Sequence, residues 1–457
     1  MNSLSSKAIG YLPDETPSWG KLILFALQQV LVMFPATVTV ALLTGFHVST
    51  TLFASGLATL CFLLITKGRI PLYYGSSFSY IAAICSITGA SFGVVASDAL
   101  ISQAQFGIIC SGLISIVAGL IVNRFGIESI EKVLPPTITG SIAMVIGLSL
   151  ASVAITNAIG FDSATGLANN ISCIVALITL IATVFFSVYL KGVLGQLSIL
   201  LGITVGYVIS ILLRLVDFSR IWAGTLISMP HFTLPAPNWA AVMAIMPIAI
   251  ATIPESTAHI FQLDIYVNDL AKKKNKNEYR IADKLGLNLI GDGIGDIVAS
   301  LFGGPAGTNY GENISTMAIT KIFSSAVLGT AAAIAIILSF FQPLSNLINS
   351  IPSSVINGAC IFLFGVIGAQ GTAIMINKKV DLFDAKNLAV IAIILVIGLG
   401  GHYGFPNSMI PFFGLQLPAI ATASVVGIVL NLLLSFGTND KVKFEKHQTE
   451  NSASKTM

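Results

Sequence analysis

The residues able to do chemistry in this chain lie inside its most apolar stretches. Glu255 and His259 stand four residues apart in a run that begins Pro247-Ile248-Ala249, so one helix face carries both and the two can reach each other. A charge placed deep in an apolar segment is costly and therefore functional by default. A carboxyl and an imidazole so placed can take up and release a proton near neutral pH; the other reading is a static ion pair that orients the helix. A second carboxylate, Glu312, closes the run Gly303-Gly304-Pro305-Ala306-Gly307-Thr308-Asn309-Tyr310-Gly311-Glu312-Asn313-Ile314. Gly and Pro break regular helix there, and non-helical backbone at membrane depth survives only where protein or a water-filled cavity satisfies its polar groups. This run is read as one wall of an intramembrane binding site.

The facing wall is read from a matching interruption. Tyr73-Tyr74-Gly75 is extended and leads into a helix starting near Ser76–Phe78, just as Gly303–Tyr310 leads into one over Asn313–Thr320. Two such strands can pair by main-chain hydrogen bonds and present the free N–H groups of two half-helix starts to the midplane. Free amides at Phe78 and Gly311 with carboxylates at Glu255 and Glu312 make a site that both donates and accepts. A flat molecule with a C(=O)–N(H)–C(=O) edge, such as uracil, meets that demand, and Phe78 can pack on its ring. Asp292 and Asp296, again four apart, read first as acids near a helix entry with close packing at Gly293 and Gly295, and second as substrate contacts. Gln28 and Gln29 line the cavity or bond a neighbouring helix; Ser77, Tyr310 and Asn313 are further candidates for its lining.

These residues need a membrane-embedded frame. Of 457 residues, 9% are charged and mean hydropathy is +0.89, against about a quarter charged in a soluble globule. The N-terminus is polar and shows no cleavable signal peptide. Candidate spans fall at 21–43, 50–66, 76–96, 101–123, 137–158, 170–190, 195–213, 239–262, 285–301, 309–320, 323–346, 353–372, 387–401 and 414–436. With fourteen spans and both termini cytoplasmic, every Lys and Arg among the 23 except Arg214 and Arg220 falls on the inner side, as the positive-inside rule asks. The basic stretch from Asn268 to Lys284 is a topology anchor, and the tail from Asn439 reads as disordered. No nucleic-acid partner is indicated.

An internal repeat fits the same count. Ile70-Pro71 precedes Tyr74-Gly75 in span three as Pro305 precedes Tyr310-Gly311 in span ten. Leu134-Pro135 with Val145-Ile146-Gly147 in span five matches Ile351-Pro352 with Val366-Ile367-Gly368 in span twelve. A seven-span repeat is odd, so the copies are inverted, and paired Gly/Pro-broken segments mark a midplane transport site. The expected fold is therefore an all-α polytopic membrane protein of two inverted seven-span repeats, with short extended strands in spans three and ten. Cys61, Cys85, Cys110, Cys173 and Cys360 are scattered in apolar runs and read as buried hydrophobes. No HExxH is present, and neither a metal nor another cofactor is expected.

The motifs Gly75-Ser76-Ser77-Phe78, Glu255-x-x-x-His259, Thr308-Asn309-Tyr310-Gly311-Glu312-Asn313 and Gly365-Val366-Ile367-Gly368-Ala369, in that order, resemble those of the nucleobase–ascorbate transporter family, and within it the bacterial uracil permeases. The resemblance spans nearly the whole chain. It implies a core domain of spans 1–4 and 8–11 (residues 1–123 and 236–346) and a gate of spans 5–7 and 12–14 (124–235 and 347–438), followed by the tail 439–457. It implies proton symport of a nucleobase, with Glu255 and Glu312 gripping the pyrimidine, the backbone at Phe78 and Gly311 bonding it, and His259 assisting proton coupling. The chain departs from that pattern at Gln29 (histidine in similar permeases), Pro35 (glycine), Phe364 (tyrosine) and Ser315 (glycine), all in or near the cavity. The expectation is a bacterial inner-membrane uracil:proton symporter working by alternating access, with a homodimer compatible with the gate's apolar faces. The competing readings are a purine (xanthine or urate) or other anion carrier on this fold, an intramembrane enzyme using two carboxylates, and a passive channel.

Overall fold

A computed structural model describes residues 10–435 except 91, 127–133, 162–165, 223 and 414. Lys7, Lys132 and the tail 439–457 lie outside the described residues.

Apolar runs free of Pro and Gly clusters become long helices, and the Gly/Pro-rich stretches become the breaks between them. The helices are α1 (Trp19–Thr44), α2 (Val48–Ile65), α3 (Ile81–Thr88), α4 (Asp98–Phe125), α5 (Pro136–Ser149), α6 (Asn170–Tyr189), α7 (Ser198–Leu212) and α8 (Ala249–Lys273). They continue as α9 (Leu285–Leu301), α10 (Gly311–Thr320), α11 (Ser325–Ser339), α12 (Ser353–Asn377), α13 (Ala385–Leu395) and α14 (Ala419–Ser435). Short helical turns extend some of these, Ala151–Ala158 after α5 and Trp239–Ile245 before α8. Among the described residues, eight helices are long and apolar enough to cross a membrane, and four apolar helices are shorter. The chain is a multi-pass membrane protein.

Helix α8 runs to Lys273, well past the 262 expected from hydropathy. Lys272 and Lys273 close its last turn, where cations complement the helix dipole, so the apolar run ends before the helix does. The expected start of the last span at 414 is also displaced. Met409–Phe412 (β3) and Leu415–Pro418 (β4) form an antiparallel hairpin, and α14 begins only after Pro418.

The helices pack in two groups. The closest partners are α4 with α9, α11 with α2, α9 with α2 and α1 with α11 in one group, and α12 with α5, α7 with α6 and α12 with α6 in the other. Shifting each helix by seven places turns α4–α9 into α11–α2 and returns α5–α12 to itself. Both interfaces rely on residues without side chains. A Cβ at Gly112 in α4 would strike the Gly293 carbonyl oxygen in α9, and one at Gly371 in α12 would strike that of Gly140 in α5. Small residues are what let helix backbones approach in lipid.

At the centre, β1 (Tyr74–Ser76) and β2 (Gly307–Asn309) pair antiparallel, with Tyr74 opposite Asn309 and Ser76 opposite Gly307. The main-chain bonds Tyr310 N–H to Tyr73 O (3.0 Å) and Ser77 N–H to Ala306 O (2.9 Å) extend the pairing at both ends. The two broken segments expected from the sequence thus satisfy each other's backbone inside the protein.

Candidate functional site

The crossing of β1 and β2 is held by buried polar side chains. Tyr74 donates its hydroxyl to Asp296, whose carboxylate also accepts the Gly307 N–H at 2.8 Å. Asn309 donates to Asp292 at 2.8 Å, and Ser256 and Asn288 complete that cluster. On the other side Tyr310 donates to the Ser76 carbonyl and meets Thr37 Oγ1, each at 2.9 Å. Glycines let the strands sit under these rings: a Cβ at Gly75 would enter the Tyr310 ring, and one at Gly307 the Tyr74 ring. Asp292 and Asp296 therefore spend their oxygens on the scaffold. Neither lines the large cavity beside the crossing.

That cavity has a volume of about 630 Å³, enough for a small planar ligand with water. Glu255 and His259 enter it from α8, Gly311 and Glu312 from the first turn of α10, Ser77 and Phe78 from the segment after β1, and Leu363 and Val366 from α12. Both strands end in a helix start. Ser77 caps a single 3-10 turn at Phe78–Tyr80 that runs into α3, and Tyr310 is the N-cap of α10. The unpaired N–H groups of a helix start favour an oxygen acceptor or partial negative charge in front of them.

Glu255 accepts a hydrogen bond from Ser79 Oγ at 3.3 Å. Among the described residues no ion pair joins Glu255 to His259, although both face the same space; the static pair is not formed. His259 lies over Gly311, where a Cβ would sit 2.9 Å from Nε2, and its Nδ1 is buried without a partner. Phe78 meets Phe364 of α12 edge to face, with ring centroids 6.5 Å apart, so the cavity is bounded by both helix groups. Apolar rings at its edge, two carboxylates, one unpaired imidazole nitrogen and a helix-start amide can receive a flat ligand that both donates and accepts.

The remaining sequence candidates are placed differently from one another. Ser77 and Tyr310 line the cavity. Asn313 is fully buried and donates to the Gln29 side chain at 2.7 Å and to the Gln29 carbonyl at 3.1 Å. Gln29 and Asn313 tie α1 to α10 behind the wall, and neither is a lining residue. Ser79, Gln262 and Gln370 also line the cavity and escaped the sequence reading. Ser79 follows directly on a motif that was read, whereas nothing in sequence marks Gln370 of α12 as facing α8.

Residues 20–407 match the family model described as "Permease family". The chain is 36% identical over 428 residues to "Uracil permease" of Bacillus caldolyticus, covering 92% of this chain and 94% of that one. It is 33% identical over 444 residues to "Putative pyrimidine permease RutG" of Escherichia coli (strain K12), covering 95% and 94%. Among solved structures it resembles the transmembrane domain of a cyanobacterium bicarbonate transporter, BicA, at TM-score 0.57 and 14% identity, covering 91% of this chain and 97% of that one. It also resembles the murine Slc26a9 anion transporter in the inward-facing state at TM-score 0.67 and 13% identity, covering 93% and 70%. Those two likenesses concern the fold alone.

Proposed function

The chain belongs to the nucleobase–ascorbate transporter family, a family of permeases and not of enzymes, and from that premise we propose that it imports uracil together with protons across a bacterial inner membrane. The observation that carries the reading is one cavity in which Glu255, Glu312 and the amide end of α10 converge. The two carboxylates accept the ring N–H groups of uracil, and the main-chain N–H groups at Gly311 and Phe78 donate to its carbonyls. Phe78 covers one face of the ring. A purine carrier of the same family is the runner-up, because two of the positions at which this chain departs from similar permeases touch the site: Ser315 lines the cavity and Phe364 packs on Phe78.

Proton coupling follows from the same groups. A proton on Glu255, with His259 as the neighbouring acceptor, changes the charge facing the substrate, and a ligand shifts an equilibrium only by its differential affinity for the two states. Movement is assigned to the group α1–α4 with α8–α11 as core against α5–α7 with α12–α14 as gate, both termini being cytoplasmic. Fourteen spans in two inverted repeats of seven are supported by the exchange of helix pairs under a seven-place shift and by the antiparallel β1–β2 pair at its centre.

The test is uptake of radiolabelled uracil into vesicles with and without an imposed pH gradient, competed by a panel of bases. Accumulation above equilibrium only when the gradient is imposed is expected, with uracil the strongest competitor. Equal accumulation without the gradient would end the coupling, and stronger competition by xanthine than by unlabelled uracil would end the substrate assignment.

A further inference from the structure

Three segments remote in sequence meet at the end of α2 opposite its basic terminus. His47 is the residue preceding α2, Asp98 opens α4, and His231 lies in the stretch between α7 and α8. At the other end of α2, about 27 Å away along an 18-residue helix, Lys67 and Arg69 edge a separate pocket. The His47 and His231 ring centroids are 4.5 Å apart, and His231 Nε2 lies 2.9 Å from an Asp98 carboxylate oxygen. One ligand atom from each residue falls within 4.8 Å of the others. None of the three lines the cavity described above.

A hydrogen bond between His231 and Asp98 explains that pair but not the second imidazole against it. Two imidazoles this close repel if both are protonated. Two imidazole nitrogens and one carboxylate oxygen are the donor set of an open zinc site, the fourth position being left to water. Around a tetrahedral ion such donors stand about 3.3 Å apart, so donors as much as 4.8 Å apart must close by up to about 1.5 Å. His231 and Asp98, with side chains 52% and 60% exposed, are free to turn that far.

We propose that His47, Asp98 and His231 bind a divalent transition-metal ion, Zn²⁺ by their chemistry, and that the ion fastens the 224–238 segment to the starts of α2 and α4. That segment is already stitched to the same helices. Thr50 Oγ1 donates to the His231 carbonyl at 2.7 Å, and Gln105 exchanges hydrogen bonds with Thr233 at 2.8 and 2.9 Å. The ion completes this seam at its most exposed point. Because 224–238 lies between α7 of one helix group and α8 of the other, the ion also restrains their relative movement. That consequence rests on the alternating-access reading, whereas the binding itself does not.

The test uses the full-length protein with its affinity tag removed, titrated with Zn²⁺ in competition with a chromogenic chelator. One Zn²⁺ per chain is expected, unaffected by excess Mg²⁺, which prefers oxygen ligands. Co²⁺ is expected to give the visible absorption of a four-coordinate ion. His47→Asn and His231→Asn, on separate segments, are each expected to weaken Zn²⁺ binding at least about tenfold. Absence of stoichiometric binding below about 100 μM, or binding unchanged in both variants, overturns the site. If either variant is not monodisperse, the wild-type Co²⁺ spectrum decides, and a six-coordinate spectrum overturns the proposal as well.

Discussion

At the scale of the residue, the two glutamates enter the cavity from different helices, α8 and α10. Among the described residues Glu255 accepts from Ser79, while Glu312 sits in the first turn of α10. Each hydrogen bond to a charged group contributes about 1.5–3 kcal/mol, so Glu255→Ala and Glu312→Ala are each expected to weaken uracil binding roughly ten- to a hundredfold and to abolish uptake. Normal uracil accumulation by Glu312→Ala would remove it from the site. His259 is set apart by its unpaired Nδ1. His259→Ala is expected to flatten the pH dependence of uptake more than it lowers uracil affinity, read by comparing pH profiles with equilibrium binding. Both glutamates and His259 were legible in the sequence because a charge in an apolar run needs a reason. Their separation from Gln29 and Asn313 was not, since which face of α1 meets α10 depends on tertiary packing that the span itself does not encode.

At the scale of the element, the paired strands are legible for a physical reason: Gly and Pro at matching places cannot be helix, and extended backbone in lipid must find a partner. What sequence did not disclose is how the pair is pinned. Asp296 holds Gly307 and Tyr74 together, a role for which its spacing from Asp292 gives no hint. Overpacking a tight site costs about 1–3 kcal/mol, so Gly307→Ala, which drives a methyl into the Tyr74 ring, is expected to lower the melting temperature and uracil binding together. Retained wild-type melting would mean that the crossing is not closely packed. A second element is pinned electrostatically. Residues 10–15 lie along the start of α11, where Phe323 N–H bonds to Tyr11 O at 2.7 Å, and Glu15 meets Lys274 at 2.6 Å and Lys276 at 3.0 Å. Burial would raise the Glu15 carboxyl, but hydrogen bonds from Lys274, the Leu12 N–H and Lys276 outweigh it and hold it at about 2 instead of 4.5. A depressed carboxyl stabilises the fold above its unfolded value and loses that contribution as pH falls toward the folded one. The melting difference between wild type and Glu15→Gln is therefore expected to be full at pH 7, to shrink below about pH 4.5 and to vanish near pH 2; a difference constant over that range would show the ion pairs to be inert.

At the scale of the whole molecule, the cavity belongs to neither helix group alone. Glu255 and Glu312 reach it from one group, Phe364 and the α12 wall bound it from the other, and the short helix Val193–Gln196 packs against α10. The closely packed glycine interfaces lie within the groups, α4 on α9 and α5 on α12, and resist deformation. Among the described residues the seam between the groups has no such glycine interlock. The proposed alternating access requires the groups to slide or rock as bodies, so that on this proposal locking them stops transport without destroying the site. In a cysteine-free background, Gln196→Cys with Ser315→Cys places one thiol on each side of the seam, since both residues line the cavity. Oxidation is expected to halt uptake, and reduction to restore it, while either single variant stays active. A cross-linked protein that still accumulates uracil would mean that the two groups move as one and that the substrate leaves by another route.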